Sequence, residues 1–190
     1  MKLAFILTID DSHNFKWINY LSKKHNIIIF ATPEKLKKNS FSENDNVKIF
    51  HILPQTYTYR HINNKNKTIN HLQRILETEK IDVLHSIYAC PHSIWAYHTK
   101  FKNHIVTTYG SDMLVDYKNK PSFFKEPTKS IISSLLRLEI RKALNAAKFI
   151  TSTSINQQNV IREFIKDEDK LSIIRTGVNC QEFLEIYNSA

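Results

Sequence analysis

Residues 82–112 read DVLHSIYACPHSIWAYHTKFKNHIVTTYGSD. An apolar run from Asp82 to Ile87 is followed by a helical stretch from Pro91 to Phe101, then by a second apolar run from His104 to Tyr109. Short continuous apolar runs suit strands buried on both faces. Pro91 opens the middle stretch, where its missing N–H costs nothing. A strand, a helix and a strand in that order make a parallel pair joined by a crossover. Working outward, the same alternation recurs. Upstream, Lys2–Thr8, Asn26–Phe30 and Val47–Leu53 read as strands. Phe15–Lys24 reads as a helix with Phe15, Ile18 and Leu21 on one stripe, and Asn66–Lys80 as a helix turning Ile69, Leu72, Ile75 and Leu76 inward. Downstream come a long helix over Lys129–Ala146, a strand over Phe149–Ser152, a helix capped by Ser154 and running through Ile165, a strand over Leu171–Arg175, and a helical pattern around Glu182–Tyr187. This order predicts an α/β fold: a Rossmann-like, doubly wound, mostly parallel sheet of about seven strands covered on both faces. Ligands of such sheets bind beyond the carboxyl ends of the strands.

The chain of 190 residues is 42% hydrophobic and 24% charged, the composition of an ordinary folded domain. Its net charge of +9 comes from 27 basic and 18 acidic residues, scattered without a basic arm. A basic balance admits nucleic acid, an anionic membrane or a phosphorylated ligand as partner. No aromatic ladder is interleaved with the basic residues, which argues against nucleic acid. Lys118–Arg137 mixes Phe123, Phe124, Ile131, Ile132, Leu135 and Leu136 with lysines and reads either as a loop and core-facing helix or as a membrane-interface segment. No apolar run approaches the ~20 residues a bilayer span requires. The opening apolar run is too short for a signal peptide. The expected location is cytoplasmic, with a peripheral position on the inner face of a membrane as the alternative. Cys90 and Cys180 make neither a metal-ligand spacing nor a redox pair.

The strand ends hold the chemistry. Thr8–His13 opens a helix without a glycine, so G-x-G-x-x-G is missing and a dinucleotide cofactor is not expected. Ser12 or Asp11 caps that helix, and His13 stands at the site mouth. His85 ends its strand, where it can meet a ligand hydroxyl or a backbone carbonyl. Tyr109-Gly110-Ser111-Asp112 follows the next strand. Gly110 is one of two glycines in the chain and permits a positive φ or a close backbone approach. Asp112 is expected at the cleft mouth, taking a proton from an acceptor hydroxyl, or else closing an Asx turn. His92, His98 and His104 read as surface or helix-end residues, and the histidines show no metal-ligand spacing. Asp112–Lys129 is long for a connection and is expected to be a functional loop.

Taken together, five segments resemble family 4 of the retaining glycosyltransferases, which have the GT-B fold. Ser12-His13-Asn14-Phe15-Lys16-Trp17 resembles the family's opening helix, and Asp82-Val83-Leu84-His85-Ser86 its "D-h-h-H-a" strand. Thr107–Asp112 resembles "T-x-H-G-S-D", Ala146–Ser154 resembles "a-D-x-h-h-a-x-S", and Lys170–Asn179 through Phe183 resembles "k-v-x-V-I-P-N-G-V-D" with its following phenylalanine. The resemblance covers nearly the whole chain. It implies the N-terminal, acceptor-side domain over residues 1–176, with 177–190 as the hinge toward a C-terminal donor-binding domain. It implies transfer of a hexosyl or N-acetylhexosaminyl group from a nucleotide-sugar to a hydroxyl of a lipid-linked or polysaccharide acceptor, with retention. The nucleotide-sugar is then a co-substrate, and neither a cofactor nor a metal is expected. Asp112 and His13 are the implied catalytic residues; His85, Tyr109, Gly110, Ser111 and Ser12 are the implied substrate contacts. This half is expected to be inactive alone. Tyr109 stands where many relatives have histidine, and tyrosine is a poor base near neutral pH. Asp10-Asp11-Ser12-His13 replaces a glycine-rich loop. Two other readings are a non-catalytic acceptor-binding or membrane-recruiting subunit of a split enzyme, and a regulatory nucleotide-binding domain.

Overall fold

The computed structural model describes residues 1–8, 12–32, 46–54, 62–110, 112–113 and 127–175; the side chains of 12–13, 15–16, 62–65 and 127–129 lie outside that description. The elements run β1 (Lys2–Ile6), α1 (Ser12–Leu21), β2 (Asn26–Ala31), β3 (Val47–His51), α2 (Ile62–Thr78), β4 (Val83–Ile87), α3 (His92–His98), β5 (His104–Thr107), α4 (Pro127–Ala146), β6 (Phe149–Ser152), α5 (Ile155–Arg162) and β7 (Leu171–Ile173). The expected strand–helix alternation is present among the described residues from β3 to β7 and from β1 to β2. The expected 176/177 boundary and the hinge 177–190 lie outside the described residues.

The strands form one sheet in the order β3-β2-β1-β4-β5-β6-β7. Every pairing is parallel. The order reverses between β1 and β4, which is the switch point of a doubly wound sheet. Right-handed crossovers therefore put the helices of the two halves on opposite faces. On one face, Ala4, Ile6, Ile28, Phe30 and Leu84 pack against Ile69, Leu72 and Leu76 of α2 and Trp95 of α3. Further along that face, Val106 and Ile150 meet Ile140 and Leu144 of α4, with Ile161 and Phe164. On the other face, Leu3, Phe5, Leu7, Ile27, Ile29 and Ile87 enclose Ile18 of α1.

Helices lie on both faces of the sheet, as expected. Among the described residues α1 is the one helix on its face, and it lies over the β1 side. Beyond it, Phe149 of β6 remains 49% exposed and Ile174 45%. An open groove follows along β4–β7.

Candidate functional site

The groove begins at the carboxyl edge of the sheet and continues along the face that carries α1, beside that helix. It measures about 310 Å³ and is lined by Trp17, His85, Thr107, Tyr109 and Thr151, with Ile105, Phe149 and Ile174 among its apolar walls. Parallel register puts these residues together. His85 stands opposite Ile105, and Thr107 opposite Thr151, so alternate residues of adjacent strands face the same side. Trp17 enters from α1. Asn14, fully buried one turn earlier, donates from Nδ2 to the Thr8 carbonyl at 2.8 Å and ties the start of that helix to the end of β1. The lining is mostly apolar with a few convergent polar groups, the common make-up of a small-molecule site.

Those polar groups are connected. His85 Nε2 lies 2.7 Å from Thr107 Oγ1, which lies 2.7 Å from Thr151 Oγ1. The Phe5 ring packs 5.2 Å from the His85 ring. Burial among these neighbours lowers the His85 pKa from 6.5 to about 4. The imidazole is therefore neutral at pH 7: it can donate or accept a hydrogen bond, but it is a weak base.

The rim above the groove is a strained loop. Tyr88, just past β4, has φ 82°. A non-glycine residue at positive φ costs roughly 1–3 kcal/mol and persists where its surroundings over-determine it. Here Tyr88 N donates to the Thr107 carbonyl at 2.8 Å, and its ring lies 5.3 Å from Tyr109 and 5.9 Å from His92. His92 Nδ1 bonds the Ile87 carbonyl, and Ser93 Oγ the Ala89 carbonyl. Asp112 Oδ2 accepts from Ala89 N at 2.6 Å.

Several sequence expectations change in position. Asp112, expected at the cleft mouth, is 3% exposed and bound to the loop behind the rim. Of the two uses open to Gly110, a positive φ or a close approach of a ligand to the backbone, the first is not realised; Tyr88 is the described rim residue with positive φ. Of the three histidines expected at the surface or at helix ends, His92 and His98 are the first and last residues of α3, while His104 lies in β5; His92 and His104 are 3% and 2% exposed, because His92 ties the rim loop and His104 Nε2 reaches Ser86 Oγ at 2.8 Å. His98 pairs with Glu139 at 2.7 Å. His85 and Tyr109 do come together in the groove. Gly110 follows Tyr109 at the rim. Ser12 and His13 are the first two residues of α1, with side chains outside the description, and Ser111 lies outside it entirely. Trp17, Thr107 and Thr151 were not singled out as site residues. The signal for the threonines was their place, one at the end of β5 and one in β6, on the same strand face as His85.

A parallel sheet reversing at β1/β4, with an open groove at its carboxyl edge, is a Rossmann-like domain of the kind that forms the N-terminal half of a GT-B fold. A family described as "Glycosyl transferase 4-like" matches residues 2–154, and the chain belongs to that family. Among solved structures, sucrose-phosphate synthase from Thermosynechococcus elongatus is similar over 95% of this chain and 49% of that one, at 12% identity and TM-score 0.65. UDP-N-acetylglucosamine 2-epimerase from Rickettsia bellii is similar over 100% and 48%, at 14% identity and TM-score 0.57. UDP-GlcNAc 2-epimerase from Methanocaldococcus jannaschii, in complex with UDP-GlcNAc and UDP, is similar over 92% and 46%, at 16% identity and TM-score 0.55. The chain thus spans about half the length of these structures. No curated protein is matched by sequence comparison.

Proposed function

We propose that this domain forms the acceptor side of a retaining glycosyltransferase. The whole enzyme moves a hexosyl or N-acetylhexosaminyl group from a nucleotide-sugar to a hydroxyl of a lipid-linked or polysaccharide acceptor. The observation that carries this reading is the convergence of Trp17, Tyr109 and the His85–Thr107–Thr151 chain in one groove. An aromatic wall beside a row of hydroxyls and a neutral imidazole matches a sugar, which offers apolar C–H faces and a ring of hydroxyls. The similarity to an epimerase held with UDP-GlcNAc and UDP agrees with a nucleotide-sugar as donor.

In this reading the domain contributes mostly positioning. His85 and Tyr109 hold acceptor hydroxyls, and Ser12, His13, Gly110 and Ser111 are assigned to the same transfer by the family resemblance alone. Asp112 acts through the loop it anchors. With His85 neutral and weakly basic, the donor's leaving phosphate takes the acceptor proton, and a second domain binds most of the donor. No metal ion is assigned a role.

The test is product analysis of the full-length enzyme with a panel of nucleotide-sugars and lipid-linked or oligosaccharide acceptors. We expect one donor–acceptor pair to give a product with the donor's anomeric configuration. His85→Ala is expected to lower kcat/KM by roughly 10- to 100-fold, largely through the acceptor KM. An inverted product would remove the retaining mechanism. Wild-type kinetics for His85→Ala together with Tyr109→Phe would remove the groove.

A further inference from the structure

Helix α4 has a second apolar stripe on the side away from the core. Ile140, Ala143 and Leu144 face inward and are fully buried. Ile131, Leu135 and Leu138 are 52%, 41% and 50% exposed. Their spacings of four and three residues put them on one helical face, opposite the buried set. A single exposed leucine is ordinary, but a continuous row of three large aliphatic side chains marks a contact surface.

The surroundings of the stripe are basic. Arg137 and Arg141, one turn apart, line a groove of about 270 Å³ with Ser134, Leu138 and Phe164. The Arg137 guanidinium sits 5.0 Å over the Phe164 ring, and Arg141 Nη2 donates to the Glu163 carbonyl at 3.1 Å, so both are held at the groove. Lys142 follows on the stripe's own face, bonded to Glu139 at 3.0 Å. Apolar side chains flanked by guanidinium groups, on a chain of net charge +9, match an anionic bilayer better than a protein surface of mixed charge.

We propose that α4 lies along an anionic lipid surface. Ile131, Leu135 and Leu138 enter the headgroup boundary, and Arg137 and Arg141 meet lipid phosphates. This gives the transfer reading a membrane-facing surface and rests on that reading only for its purpose. Vesicle binding needs neither donor nor acceptor, so either idea can fail without the other.

The test is flotation of the full chain with vesicles of phosphatidylcholine alone and of phosphatidylcholine with phosphatidylglycerol. Wild type is expected to bind the anionic vesicles at least ~10-fold more strongly, with the excess lost at high salt. Ile131→Ser/Leu135→Ser/Leu138→Ser is expected to lose that binding while keeping its circular dichroism, since all three side chains point away from the core. Arg137→Gln/Arg141→Gln is expected to lose it as well, whereas Arg137→Lys/Arg141→Lys keeps most of it and controls for folding. Equal binding to both vesicle types, or undiminished binding by the serine variant, would overturn the proposal. Concentration-dependent dimerisation abolished by the serine variant, without vesicle binding, would assign the stripe to a second copy instead. Full displacement by millimolar inorganic phosphate would make the arginine groove a soluble-anion site.

Discussion

Asp112 shows how a residue type can be legible while its role is not. Its place two residues after the glycine that follows β5 marked it as a site residue. The bond that defines its setting runs to Ala89, in the connection after β4, and no local pattern announces a contact between two loops. Buried at 3% exposure, it accepts an N–H that would otherwise be orphaned beside the strained Tyr88. Asp112→Ala should therefore destabilise the fold by roughly 1–3 kcal/mol, the cost of leaving such a donor unmet. Asp112→Asn keeps an acceptor oxygen and should recover much of that loss. Urea unfolding of both variants decides the point: equal stability for alanine and wild type would mean the Ala89 bond anchors nothing. His85 and Tyr109 were easier to read, because position at a strand end sufficed to place them in the groove. Trp17 was harder, since a tryptophan on a helix stripe serves a core equally well.

At the scale of elements, alternating apolar runs and amphipathic stretches made the strands and helices visible, while their ends were not. Glycine is the usual signal for a helix stop, yet α2 and α3 are followed by lysines in the left-handed region, Lys80 at φ 52° and Lys100 at φ 57°. These positions carry a steric cost that glycine avoids. Lys100→Gly should raise stability by about 0.5–1 kcal/mol, readable as a higher denaturation midpoint; a lower midpoint would mean the lysine side chain contributes more than its backbone costs. The end of α4 is closed differently. Lys170, almost buried, donates from Nζ to the carbonyls of Leu144 at 2.9 Å, Asn145 at 2.7 Å and Ala147 at 3.3 Å. A cation there meets the negative helix terminus and its unpaired carbonyls. Burial lowers its pKa from the usual lysine value, so part of the gain goes to desolvation. Lys170→Met should still cost roughly 2–4 kcal/mol, because three carbonyls lose their donor at once. Calorimetry showing an unchanged melting temperature would dismiss Lys170 as a cap. In the sequence Lys170 was only the first letter of a motif; its partners lie more than 20 residues away.

For the whole molecule, the chain's alternation was enough to predict a parallel, doubly wound sheet, but not its order β3-β2-β1-β4-β5-β6-β7, because right-handed crossovers are compatible with more than one order. How far α1 reaches across its face was not predictable, because that is set by the packing of Ile18 on the β1 side. Nor did the sequence tell which histidines the fold would bury. His92 and His104 are enclosed, and burial lowers their pKa values from 6.5 to about 4 and about 3. In the unfolded chain each would titrate near 6.5. The folded state thus binds fewer protons than the unfolded state as pH drops below 6.5. Stability is complete above that pH and is lost as the solution acidifies toward about 4, by up to ~1.4 kcal/mol per pH unit for each histidine. Between pH 7 and pH 5 these two together with His85, also lowered to about 4, should remove roughly 5–6 kcal/mol, above the range in which Glu79 and Glu139, both held below the usual glutamate value, take up protons. Urea midpoints at half-unit steps across this window measure the slope directly. His104→Gln, whose amide can still reach Ser86 Oγ, should flatten it by about a third. A pH-independent midpoint from 7 to 5 would mean that the three imidazoles gain protons as readily in the folded chain as in the unfolded one.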